Sequence, residues 1–102
     1  MTRGQVWWYE RPDDKPRPVL ILTRDESIDR QFDVIAAPTT STVRGWDTEV
    51  PLDEDDGMPK PCVLSVGNTL LANKTFLTKR ITELGLEKMD QVCRALNAAV
   101  SC

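Results

Sequence analysis

The hydrophobic period changes once along this chain, and that change constrains the architecture more than any other feature. Before Leu86 the apolar residues fall in short runs cut by proline, glycine and charged clusters. From there Leu86, Met89, Val92, Cys93, Leu96, Ala99 and Val100 recur at spacings of three and four, the stripe of an amphipathic helix. Glu87 and Asp90 stand near its start, where the helix dipole favours anions. Short strands closed by one helix predict a compact, strongly curved antiparallel sheet or small barrel, with the helix laid over it. Met89 and Cys93 are core residues in that arrangement. With 102 residues there is room for one small domain, taken here as residues 1–102.

Val6-Trp7-Trp8-Tyr9 is rich in strand formers and opens the sheet. The polar, proline-bearing segment Arg11–Pro16 loops to a second strand at Val19–Thr23. Further strands are expected at Asp33–Pro38, Thr48–Leu52, Pro61–Ser65, Thr69–Ala72 and Arg80–Leu84. Pro38 should end its strand or mark a bulge, because it cannot donate to a ladder. Asp53-Glu54-Asp55-Asp56 reads as an exposed loop whose spacing does not match a calcium loop. Trp7 and Trp8, as neighbours in a strand, must point to opposite faces. One belongs to the core, and the other is available to a groove or a dimer interface on an exposed strand.

The net charge of −3 argues against a wholly basic, duplex-binding face, but its distribution is uneven. Residues 34–56 carry six acidic groups against Arg44 alone, whereas residues 57–102 carry six basic groups against three acidic ones. No stretch approaches the roughly 18 apolar residues of a membrane-spanning helix. The N-terminus turns into a strand pattern at once, leaving no room for a signal peptide, and a cytoplasmic protein is expected. Cys62, Cys93 and Cys102 are widely spaced, and with no histidine and no CxxC pair the chain lacks the soft ligands of a zinc site. Reduced thiols fit the same compartment.

The missing histidine also narrows the chemistry, since acid–base work falls to Arg, Asp, Glu, Ser, Thr, Tyr or Cys. Arg17 stands at the mouth of the apolar run Pro18-Val19-Leu20-Ile21-Leu22. An arginine held by rigid neighbours presents a fork of donors suited to a phosphate, and it could equally pair with Asp13 or Asp14. Trp46, in a loop beside Arg44 and Gly45, is suited to stack on an unpaired base or to cap the sheet. Arg44 is suited to a phosphate or to solvent.

Four pieces now coincide in order. They are Arg3-Gly4-Gln5-Val6-Trp7, Arg17-Pro18-Val19-Leu20-Ile21-Leu22, Ala36-Ala37-Pro38-Thr39-Thr40-Ser41-Thr42 with Arg44-Gly45, and Glu49-Val50-Pro51-Leu52 before Gly57-Met58-Pro59. Together they resemble the MazF/PemK family of toxin ribonucleases from bacterial toxin–antitoxin pairs. The resemblance extends through Asn68, Lys79-Arg80-Ile81 and the terminal helix. It implies a mainly β fold with a C-terminal helix, an SH3-like curved barrel, assembled as a homodimer. It also implies cleavage of single-stranded RNA at short sequence motifs without metal or other cofactor, and a cognate antitoxin protein that blocks the RNA groove.

The family's catalytic arginine maps onto Arg17, and its catalytic threonine onto Thr39 or Thr40, with Thr39 preferred. RNA contacts are expected from Arg44, Trp46, Asn68 and Lys79. Attack of a ribose 2′-OH on the adjacent phosphate needs charge stabilised on the phosphoryl oxygens, which Arg17 and a threonine hydroxyl can supply. Neither is a comfortable general base. The chain departs from the family at Gly67-Asn68, where many relatives carry an acidic residue before Gln or Asn. Its first inter-strand loop is also shorter than in several relatives, so cleavage specificity does not carry over. Two other readings share the scaffold: a non-catalytic SH3-like module holding a peptide or nucleic acid, and a toxin directed at DNA ends or gyrase.

Overall fold

The computed structural model describes residues 1–100, so Cys102 lies outside the described residues. Seven strands form one curved antiparallel sheet: β1 (Gln5–Tyr9), β2 (Arg17–Ile21), β3 (Asp33–Thr40), β4 (Glu49–Leu52), β5 (Cys62–Ser65), β6 (Leu70–Asn73) and β7 (Leu77–Glu83). A one-turn helix, α1 (Asp25–Ile28), follows β2, and α2 (Leu86–Val100) ends the described chain. Strands run in the order β4-β5-β3-β2-β1-β7, with β6 branching from β3. The sheet is strongly curved but does not close into a barrel, because β4 and β7 remain at its two ends. No helix among the described residues is long and apolar enough to cross a membrane.

The apolar run of β2 explains why it sits mid-sheet. Side chains alternate faces along a strand, and both faces of β2 are buried. Leu20 and Leu22 join one core with Val50, Leu64, Val92 and Ala95, while Val19 and Ile21 join a second with Tyr9, Val34, Ala36 and Ala72. Helix α2 covers the first core, packing on β4 and on the short turn after β5.

Three strands differ from expectation, β7 by starting at Leu77 rather than Arg80. β3 runs through Pro38 to Thr40, and Pro38 pairs with Val19. At that point β3 leaves β2 and takes β5 as partner, through Thr39–Leu64 and Thr40–Val63. A residue without an N–H is tolerated where one ladder hands over to another. β1 is not exposed, since it lies between β2 and β7. Trp7 packs against the second core and donates its indole N–H to Gln5 Oε1 at 3.0 Å.

The helix stripe is narrower than its sequence pattern. Val92 and Ala95 are buried and Met89 and Leu96 partly so, but Leu86, Ala99 and Val100 are exposed because the ends of α2 overhang the sheet. Cys93 is exposed rather than core, and its Sγ accepts from Arg3 Nη2 at 3.3 Å.

The acidic run is structured. Asp53 caps a single 3₁₀ turn over Glu54–Asp56, its side chain accepting from the Asp55 N–H while Asp56 accepts from the Asp53 N–H. Gly57 ends the turn at φ 90°, in the left-handed region.

A cationic cleft at the mouth of β2

Sequence-distant segments converge where β2 begins and β3 ends. Arg17 is the first residue of β2, flanked by Pro16 and Pro18, which fix the backbone on either side. Thr39 and Thr40 are the last residues of β3. They border an open cleft of about 350 Å³, together with Trp8, Lys15, Ser41, Met58, Pro59, Lys60 and Cys62. Lys15, Arg17 and Lys60 supply three positive charges, and no carboxylate lines the cleft among the described residues. In a chain of net charge −3, that is a local inversion of sign.

Arg17 does pair with Asp14, Nη2 to Oδ1 at 3.5 Å. Both side chains are nearly half exposed, and such pairs contribute at most about 1 kcal/mol. A phosphate can offer the same guanidinium two charge-assisted bonds, so a pair this weak leaves Arg17 able to exchange Asp14 for an anionic ligand.

The two threonines differ. Thr39 is only 6% exposed, and its hydroxyl donates to the Pro18 carbonyl at 2.8 Å, beside Arg17. Thr40 is half-buried, and its Oγ1 accepts from the Thr42 N–H at 3.1 Å. Burial pushes the Cys62 thiol pKa up, with Lys60 pulling it down and Asp56 adding to the rise, so the thiolate is disfavoured there.

The remaining expected RNA contacts lie outside this lining. Arg44 sits over the Trp46 ring, 5.2 Å from its centroid, in the loop before β4. Glu49 holds that loop, its carboxylate accepting from the backbone N–H groups of Arg44, Gly45 and Trp46. Trp46 remains 54% exposed, so it is presented to solvent rather than capping the sheet. Asn68 donates to Ser65 Oγ at 2.7 Å in the turn before β6. Lys79 is exposed on β7, opposite Trp8 in the ladder.

Trp8, Lys15 and Lys60 were not singled out by sequence as cleft residues. The one available signal was that Trp8 must face away from Trp7.

The fold and cleft together define its class: a small curved antiparallel sheet, covered by one helix, whose open cation-lined cleft is suited to an anionic group. Within that class, the model of the PemK-like, MazF-like toxins of type II toxin–antitoxin systems matches residues 2–100. The chain belongs to that family. It is 35% identical over 102 residues to a protein named probable endoribonuclease MazF5 from Mycobacterium tuberculosis, covering 99% of this chain and 94% of the other. The solved Mycobacterium tuberculosis toxin MazF-mt6 superimposes with a TM-score of 0.87 at 35% identity, covering 95% of this chain and 96% of that one. A mycobacterial endoribonuclease solved in complex with its cognate antitoxin has the same fold, with a TM-score of 0.88 at 24% identity, over 99% and 95% of the two chains.

Proposed function

We propose that this protein is the toxin of a toxin–antitoxin pair, an endoribonuclease that cuts single-stranded RNA at selected sequences in the cytoplasm. One observation carries the reading: a single cleft holds Arg17, Thr39 and Thr40 among two further cations and no acid. Family membership supports both the activity and the antitoxin partner.

In the reaction the ribose 2′-oxygen attacks the adjacent phosphorus and the O5′–P bond breaks. The fragments end in a 2′,3′-cyclic phosphate and a 5′-hydroxyl. The proton lost from the 2′-OH balances the one gained by the leaving oxygen, so no water is consumed. Arg17 clamps the non-bridging oxygens as negative charge builds on them. Thr39 adds one donor by rotating its O–H from the Pro18 carbonyl to a phosphoryl oxygen, exchanging one neutral bond worth about 1 kcal/mol for a charge-assisted one. Thr40, whose oxygen already accepts from Thr42, shapes the strand end. Holding the 2′-OH in line with the leaving oxygen supplies much of the remaining rate.

The chain works as one domain and as a homodimer. Ile35 and Leu71 are direct cross-strand partners that both remain exposed, with Phe32 87% exposed just before β3. Apolar side chains grouped on a sheet face mark a surface that another chain covers, and here a second copy does so. An acidic antitoxin segment would compete with RNA for the cleft's cations.

The test is incubation of purified protein with a long RNA in EDTA. Discrete cleavage sites are expected. Binding without cleavage would favour the non-catalytic module, and loss of activity on chelation would contradict the metal-independent route.

A further inference from the structure

Resting on the endoribonuclease reading, we propose that Trp8 and Lys60 form a subsite for the nucleotide next to the scissile phosphate. Lys60 takes the neighbouring phosphate and Trp8 stacks on the base.

Of the six basic groups after Gly57, four are already engaged. Lys74 donates to the Ile28 carbonyl at 2.8 Å, Arg80 pairs with Glu83, Lys88 with Asp56, and Arg94 with Asp90. Only the Lys60 and Lys79 side chains have no such partner among the described residues, and only Lys60 lines the cleft. Arg17 is committed to the reacting phosphate. Successive phosphates lie along one strand, so a further unpaired cation on an anchored wall of the same cleft can reach the next one.

The backbone that carries Lys60 is also anchored. Two acids of the run before it are already engaged, Asp53 in capping the turn and Asp56 in a brace. Asp56 ion-pairs with Lys88 at 3.7 Å in a largely shielded position, and the Asp56 carbonyl accepts from Thr82 Oγ1 at 3.0 Å. Lys88 further donates to the Pro51 carbonyl at 3.0 Å. Strand β7 and helix α2 thus grip the turn whose continuation, Met58-Pro59-Lys60, forms a cleft wall. Met58 is buried in the core, which anchors that wall from beneath.

Trp8 is the one aromatic residue in the lining among the described residues. Its backbone is fixed between Pro18 of β2 and Lys79 of β7, and its half-buried side chain borders the cleft. Stacking accepts any base and a lysine reads only charge. The subsite therefore supplies affinity and leaves the cleavage motif to other contacts.

The test uses an RNA oligonucleotide spanning a mapped cut site, made uncleavable by a 2′-deoxyribose at the scissile nucleotide. Binding is measured by fluorescence anisotropy across a salt series. K60Q should flatten the slope of log affinity against log salt by about 0.7, one phosphate contact on a single strand. W8A should weaken binding roughly 5- to 150-fold with the slope kept, and W8F should recover most of it. In cleavage assays both changes should raise KM far more than they lower kcat, with the same cut sites. Circular dichroism checks folding, and K60Q, on an exposed side chain, tests the proposal should W8A unfold. A K60Q protein with wild-type slope and affinity overturns the subsite, as does a folded W8A protein that binds normally. A wild-type protein that neither binds nor cuts RNA would instead remove the underlying reading.

Discussion

In the proposed mechanism Arg17 is the residue on which the chemistry turns. R17A removes the phosphate clamp and should lower cleavage by about 10²–10³-fold while leaving the circular dichroism spectrum unchanged. R17K restores charge without the planar fork and should recover only part of the rate. For the threonines, T39V keeps shape but deletes the hydroxyl, and its kcat should fall well below that of T40V. The reverse order would move the role to Thr40. The position of Arg17 at the mouth of β2 was legible in sequence because prolines and an apolar run flank it, whereas its catalytic role came from the family resemblance. Lys15, Lys60 and Trp8 were not legible as cleft residues, because the cleft is assembled from residues 8, 15–18, 39–41, 58–60 and 62, which no local pattern joins. Cys93 misled because helical spacing gives a stripe but not its width. Val92 and Ala95 fill the contact, and Cys93 lies just off it.

Among the elements, the turn from Asp53 to Gly57 has consequences beyond its length. A Cβ built on Gly57 would lie 2.8 Å from Thr82 Cβ and closer still to its Oγ1. G57A should therefore cost more than the roughly 1–3 kcal/mol of a strained left-handed residue, read as a lower denaturant midpoint. It should also weaken RNA binding by displacing the Lys60 wall. Strand positions were largely readable, since β-branched runs bounded by Gly and Pro set them. What sequence did not show was the brace, because a charge run looks alike whether solvated or tied to a helix thirty or so residues on (Asp56 to Lys88). Nor could it show that β3 survives Pro38, since that depends on which strand lies alongside. The start of β7 at Leu77 rather than Arg80 has the same cause, being fixed by pairing with Tyr9.

At the scale of the whole molecule, curvature and a covering helix followed from the change of period, whereas openness depends on strand order, which no periodicity encodes. The apolar pair Ile35–Leu71 predicts that I35E or L71E shifts a dimer to monomer in sedimentation at micromolar protein. A wild-type monomer that keeps full ribonuclease activity would contradict the dimer. In the proposed mechanism the cleft around Arg17 cuts RNA with the substrate's own 2′-hydroxyl. The most direct test of that mechanism compares two oligonucleotides that span a mapped cut site and differ only in a ribose or 2′-deoxyribose at the scissile position, with product ends read by mass spectrometry. The ribose substrate should yield a 2′,3′-cyclic phosphate and a 5′-hydroxyl, and the deoxyribose one should remain intact. Efficient cutting of the deoxyribose substrate, or a 5′-phosphate on the product, would contradict the account.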